Sequence, residues 1–306
     1  MNRFEFIGGT LAVAATAPLE RYTVGATPVE GDSLVFLAQS DGSFAQAGMS
    51  LDIQKLNSGD ASAAGLVSGD LAIGSISTLS LAIAHQNGID LKIIAPGVLY
   101  DNAHTGSQMF VAKNAVFNSG RDLNGKVFAV NVLHGAAQLF AQSWIDKKGG
   151  DSSTLRFIEL SFSLMEPALI AGRVDAALIV PPFAANALLT CRSLGPPGDG
   201  IAPRFLNGCY AATSSWLALN RNAAARFNAV IGKEARRYNA DPAASVQAVA
   251  DLTKQDPAVI AKSVRAIFGE KIDLGQLQPL IDVGARYGLL KRSFPASDII
   301  GVPLSS

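Results

Sequence analysis

Between Leu51 and Gly97, apolar and polar positions alternate in blocks that predict strand, loop, helix, strand, loop, helix, strand. Leu51–Leu56 (LDIQKL) has the period-two alternation of a half-buried strand. Leu71–Gly74 and Leu91–Ala95 (LKIIA) are short apolar runs bounded by turn residues, the pattern of buried strands. Asp60 or Ser62 caps a helix over Ala61–Val67. Ser77 caps a second helix reaching His85 or Gln86, and Gly88 ends it. Two polar loops, Asn57–Ser62 and Gly74–Thr78, each follow a strand and open a helix. Such loops aim backbone N–H groups and a helix N-terminus at one crevice, a setting for a small polar or anionic ligand.

The same reading extends along the chain. Tyr22–Ala26 is a strand that stops at Thr27-Pro28, because proline lacks an N–H and restricts its predecessor. Ser33–Gln39 starts a helix reaching towards Gln46. Val98–Gln108 breaks the period and reads as polar and irregular. A second alternation follows: strands at Met109–Ala112, Val127–Val130, Leu155–Leu160 and Val174–Val180, with helices at Ala136–Lys148, Leu164–Ala171 and Phe183–Leu189. Pro181-Pro182 stops the last of those strands. Ala211–Leu219 holds one more strand (WLAL). Beyond Asn220 the pattern is helical: Ala223–Tyr238, a helix from Asp241-Pro242 to Lys254, another from Asp256-Pro257, and Leu274–Tyr287, before a loose tail at Pro295–Ser306. Strands alternating with helices predict an α/β chain with two mainly parallel sheets flanked by helices. Residues 21–104 plus 208–306 form lobe one and residues 105–207 lobe two, with crossovers near 98–108 and 205–215 placed as hinges.

Composition narrows the function classes. Apolar residues make up 49% and charged residues 16% of 306, which supplies a core and excludes a disordered chain. Lys+Arg and Asp+Glu both number 25, and no basic run reaches five residues, which argues against nucleic acid as a partner. After residue 20 no apolar stretch reaches the roughly 18 residues of a membrane span. Residues 1–20 read as a signal peptide: a basic Met1-Asn2-Arg3, an apolar Phe6–Ala15 and an A-x-A site at Ala15-Thr16-Ala17. Arg3-Phe4-Glu5-Phe6-Ile7 is also similar to a twin-arginine signal lacking its second arginine. The mature chain is therefore expected to be exported to the periplasm as a soluble monomer. Two cysteines, Cys191 and Cys209, either form a disulfide worth roughly 3 kcal/mol or stand as two buried thiols. No G-x-S-x-G, H-E-x-x-H or G-x-G-x-x-G motif occurs, and His85, His104 and His134 have no metal-ligand spacing, so no cofactor or metal is expected.

Four motifs in order resemble one family. They are Gly69-Asp70-Leu71-Ala72-Ile73-Gly74, then Leu81-Ala82-Ile83-Ala84 with Gly88-Ile89-Asp90-Leu91-Lys92-Ile93-Ile94, then Ser119-Gly120-Arg121-Asp122-Leu123-Asn124-Gly125-Lys126, and last Ala168-Leu169-Ile170-Ala171-Gly172-Arg173-Val174-Asp175-Ala176-Ala177. Together they are similar to the periplasmic solute-binding proteins of ABC transporters, in the group for sulfonates, nitrate, taurine and thiamine pyrimidine precursors. The resemblance implies a bilobed type II binding fold, capture of a small organic solute (a sulfonate, another organic anion or a heterocycle) between lobes, and delivery to an inner-membrane ABC permease. Val180-Pro181-Pro182-Phe183 is apolar where the family often has a polar pair, and the Pro28 loop lacks the family's tryptophan. Both departures favour a ligand with an apolar part.

Ligands of such folds contact the C-terminal ends of strands. The candidates in lobe one are Thr27 and Pro28, Asn57, Ser58 and Gly59, and Gly74, Ser75, Ile76 and Ser77. In lobe two they are Asn131, His134, Gly135, Pro182 and Phe183, with Tyr210 from the return crossover. Ser58, Ser75 and Ser77 equally suit helix capping, and Phe183 and Tyr210 equally suit the core. Arg173 and Lys126 read as solvated. The alternative function is an enzyme on the same fold, similar to the thiamine pyrimidine synthases or a related dehydratase, although the cysteine-rich motif of the former is missing. A sensor that feeds a receptor is a third reading.

Overall fold

The computed structural model describes residues 18–304. The signal-peptide reading falls almost wholly on residues outside that range. The chain opens with β1 (Glu20–Ala26), α1 (Ser33–Ser40), α2 (Ser43–Gln46), β2 (Met49–Lys55), α3 (Gly59–Ser68), β3 (Ile73–Ser77), α4 (Thr78–Gln86), β4 (Leu91–Pro96) and β5 (Val98–Asp101). A second series follows: β6 (Gln108–Ala112), β7 (Val127–Val130), α5 (Ala136–Lys147), β8 (Arg156–Glu159), α6 (Phe162–Ile170), β9 (Ala176–Ile179), α7 (Phe183–Thr190) and β10 (Cys191–Gly195). The chain then returns through β11 (Arg204–Leu206), β12 (Gly208–Thr213), α8 (Ser214–Leu219), α9 (Arg221–Ala240), α10 (Val246–Thr253), α11 (Pro257–Lys262), β13 (Ile267–Phe268) and α12 (Leu274–Arg286).

Two five-stranded sheets result, in the orders β2-β1-β3-β12-β4 and β10-β6-β9-β7-β8. In the first, β1 runs parallel to β2 and β3, while β12 runs antiparallel to β3 and β4. In the second, β7 is parallel to β8 and β9, while β6 is antiparallel to β9 and β10. Half the ladders are thus antiparallel, against the expectation of mainly parallel sheets. The strands β6 and β12 enter their sheets directly after β5 and β11, which pair elsewhere, rather than through a strand–helix–strand crossover, which is what forces parallel neighbours.

Val98–Asp101 is a strand, not irregular chain. With β11 and β13 it makes a small antiparallel sheet in which Tyr100 pairs with Phe205 and Leu99 with Ile267. The Tyr100 and Phe205 rings stack at 4.8 Å, and Phe140 of α5 meets the Phe205 ring edge-on at 5.5 Å. One buried cluster runs through these rings from Leu79 and Ile93 on one side to Phe128 and Trp144 on the other. Behind the first sheet, α9 presents Ala223, Phe227, Val230, Ile231, Ala235 and Tyr238 as one apolar stripe, at spacings of three and four. That stripe packs on α1 and on Phe44, whose ring stacks on Phe227.

Several local expectations change. Helix α3 begins at Gly59, capped by Ser58 rather than Asp60 or Ser62, since the Ser58 hydroxyl accepts from Ala61 N at 3.2 Å. The WLAL segment belongs to α8, because Thr213 ends β12 and its hydroxyl caps the turn at Trp216 N. Helix formation stops at Ser40, where the left-handed Gly42 separates α1 from α2. The tail is not loose: Ile299 is fully buried, and Gly301 N donates to Ile93 O at 2.9 Å. The two thiols are free and buried, and no disulfide joins them. Cys191 pairs with Ala112 in the second sheet and Cys209 with Ile76 in the first, so each is committed to a different lobe.

Candidate functional site

A cleft of about 200 Å³ lies between the two sheets. It is built where the parallel strands end. Thr27 follows β1, Ser77 ends β3, Asn131 follows β7 and Val180 follows β9, and all four line it. The small third sheet closes its back with Val98, Leu99 and Ile267. Phe140 and Phe162 give it apolar walls from the second lobe.

Three helices open onto it. Ser58 caps α3, and Ser77 caps α4 by accepting from Ser80 N at 2.9 Å while its own hydroxyl donates to Ser80 Oγ at 2.8 Å. Helix α5 begins at Ala136 after the N-cap Gly135, which has no side chain to cap with, and the Gln138 carboxamide accepts from His134 N just before it. In the first lobe the Ser58 and Ser77 caps satisfy much of the first turns, and Thr78 N donates to Asn207 O at 2.9 Å.

The ionisable side chains at the cleft are Glu30, Asp32, Asp60 and His104, and among the described residues no lysine or arginine lines it. Asp32 Oδ1 accepts from Ser75 Oγ at 2.6 Å, and Oδ2 accepts from Thr27 N at 2.8 Å. Burial pushes the Asp32 carboxyl above the ordinary carboxylate range, with the Ser75 hydroxyl and the Thr27 N–H pulling in the opposite direction. Glu30 is fully buried, and Arg265 Nε donates to its Oε1 at 2.5 Å, with the Tyr238 hydroxyl as a second donor. The Arg265 guanidinium also reaches Pro242 O at 2.8 Å and Ser245 Oγ at 3.0 Å, which fixes the C-terminal segment against the first lobe. Glu30 Oε2 and Asn207 Oδ1 are buried acceptors without a partner.

Of the residues expected from the sequence, Thr27, Ser58, Gly59, Ser75, Ile76, Ser77, Asn131 and Gly135 line the cleft. Pro28, Asn57, Gly74, His134, Pro182, Phe183 and Tyr210 do not. Asn57 and His134 are exposed, and Pro28 is half-buried outside the lining. A Cβ at Gly74 would meet Leu66 and Ser62 at 3.1 Å, so this glycine permits close packing of α3 on β3. Pro182 is buried beneath the loop, and Pro181 faces the cleft instead. Phe183 stacks on Phe162 at 6.5 Å, and it is Phe162 that borders the cleft. Tyr210 is 2% exposed and packs edge-on against Phe227 at 5.3 Å, within the core.

Glu30, Asp32, Ser80 and Asn207 are cleft residues the sequence reading missed. Asp32 carried a local signal: it directly precedes a helix that follows a strand end. Its carboxylate makes no cap bond and reaches across to Ser75.

Two α/β lobes joined by crossovers, with a cleft at their strand ends, define the bilobed fold of periplasmic binding proteins. Residues 33–245 match the family described as NMT1/THI5 like, and the chain belongs to that family. No curated protein matches the chain. Solved structures are similar in fold. The periplasmic aliphatic sulphonate binding protein of Escherichia coli aligns with a TM-score of 0.73 at 16% identity, covering 94% of this chain and 93% of its own. The alkanesulfonate-binding protein of Xanthomonas axonopodis pv. citri, solved bound to MOPS, gives 0.77 at 18% identity over 93% and 99%. The ligand-binding component of an ABC-type import system from Staphylococcus aureus, solved with zinc bound, gives 0.79 at 18% over 92% and 96%.

Proposed function

We propose that the chain is the substrate-binding component of an ABC uptake system, capturing a small organic solute between its two lobes outside the cytoplasm and presenting it to a membrane permease. The observation that carries this reading is the cleft itself. Strand ends of both lobes wall it, helix N-termini open onto it, and its polar groups sit beside the apolar Phe140, Phe162 and Val180. Family membership and the solute-binding roles of the structural neighbours support the same reading. Lobe one, in this proposal, comprises residues 21–104 and 208–306, lobe two residues 105–207, and the protein works as a monomer in the periplasm. No helix among the described residues is long and apolar enough to cross a membrane.

A thermal-shift screen of the purified chain against sulfonates, nitrate, aromatic acids and pyrimidines tests this. A true ligand at 100 times its Kd adds about 2.7 kcal/mol of stability. Turnover of a candidate substrate, with no solute raising the melting temperature, would support an enzyme of the same fold instead.

A further inference from the structure

Resting on the capture reading above, the distribution of hydrogen-bonding groups narrows the ligand. Two carboxylates beside the cleft have a guanidinium partner, whereas Asp60, exposed at its edge, has none among the described residues. Glu30 has Arg265 at 2.5 Å, and Asp101, just outside, has Arg204 at 3.7 Å. Asp32, within the cleft wall, also enters no ion pair among the described residues: its donors are the Ser75 hydroxyl and Thr27, through its N–H and its own hydroxyl. Three donors against the about four acceptor positions of a carboxylate leave capacity on Asp32 unfilled.

Two more acceptors at the same cleft lack a donor altogether, Glu30 Oε2 on a fully buried side chain and Asn207 Oδ1. Neither a lysine nor an arginine stands among the lining residues to serve a sulfonate or nitrate, and the acidic groups repel such an ion. What the first-lobe wall needs is an N–H donor, preferably a charged one.

We propose that Asp32 is a specificity-determining residue that selects solutes presenting an N–H-bearing head, such as an amidine, an aminoheterocycle or an ammonium group, and rejects anionic heads. The Ser75 hydroxyl and the Thr27 N–H hold the carboxylate in place for that contact. The apolar second-lobe wall takes the body of the ligand.

Isosteric probes separate the head group from the body. Benzamidine, benzamide and benzenesulfonate present the same ring with a cationic, a neutral and an anionic head, and 2-aminopyridine adds a heterocyclic donor. Thermal-shift titrations of the wild-type chain are expected to rank benzamidine and 2-aminopyridine above benzamide, and benzenesulfonate last. Asp32→Asn is expected to weaken benzamidine at least about tenfold while leaving benzamide within a few-fold, since the amide keeps the shape and loses the charge. The wild-type ranking stands as a test by itself should that variant fail to fold. Benzenesulfonate binding as well as benzamidine, no shift with any N–H-bearing probe, or an unchanged benzamidine affinity in Asp32→Asn would each overturn the proposal. Mass spectrometry of the solute retained by the purified protein separates the two levels. A retained sulfonate overturns this inference and leaves capture intact, whereas no retained solute and no probe shift overturn both.

Discussion

Ser75 Oγ donates to Asp32 Oδ1 at 2.6 Å, joining the middle of β3 to the start of α1 across 43 residues of chain. Ser75 is 5% exposed, so the bond is held away from water. Ser75→Ala leaves that oxygen without its hydroxyl donor and is expected to cost about 1–3 kcal/mol. The pH dependence follows from the same pair. Because burial holds the folded Asp32 carboxyl above its unfolded value, the native state binds the proton more tightly. Its stabilisation is full at pH below the unfolded carboxylate value and is lost as pH rises through the folded value. Asp32→Asn flattens that loss, and Ser75→Ala extends it to higher pH. Urea midpoints of the three proteins from about pH 4 to about pH 8 read both effects. Parallel curves for wild type and Asp32→Asn would contradict them.

The buried Glu30–Arg265 pair ties the first strand-to-helix loop to the segment before β13. Arg265→Ala strands a fully buried carboxylate and is expected to cost about 3–5 kcal/mol, more than Glu30→Gln, which keeps the shape and removes the charge. Chemical denaturation of both variants gives the order. A smaller loss in Arg265→Ala would mean that the carboxylate finds another donor.

Gly106 fills the wedge between the lobes. A Cβ there would stand 2.5 Å from Pro181 Cγ and 2.8 Å from Val264 O. Gly106→Ala is expected to cost about 1–3 kcal/mol through overpacking and to weaken binding of whatever solute the wild type retains, because Gly106 and Pro181 both line the cleft. Melting temperature and solute affinity are the readouts. A variant that matches the wild type in both would show that the wedge yields freely.

Both cysteines are expected to remain thiols. Burial pushes Cys209 up to about 12 and raises Cys191 as well, so neither forms the reactive thiolate at neutral pH. Native protein should react slowly with a thiol reagent, unfolded protein should release two thiols, and a reducing agent should leave the melting temperature unchanged. A mobility difference between reduced and unreduced gels would contradict this.

The strand ends were legible because their chemistry is local. Ser58, Ser75 and Ser77 each sit where an apolar run gives way to a helix, and all three reach the cleft. Asp32 was not legible, although it sits beside a helix start, because its partner Ser75 is supplied by sheet pairing. Tyr210 misled for the same reason. An aromatic residue on a return strand reads alike whether it faces ligand or core, and its contact with Phe227 depends on α9 docking. Cys191 and Cys209 form an even pair in sequence, yet strand order places them in separate sheets. The strand character of Val98–Asp101 was hidden because its partners lie more than a hundred residues later.

Solute capture in the cleft is tested most directly by native mass spectrometry. Ala136 opens α5 at the cleft wall, and Ala136→Trp fills the space. Wild-type protein is expected to carry an organic solute that Ala136→Trp lacks, with both showing the same circular dichroism spectrum. Equal retention by the two proteins, or none by either across the ligand screen, would contradict the account.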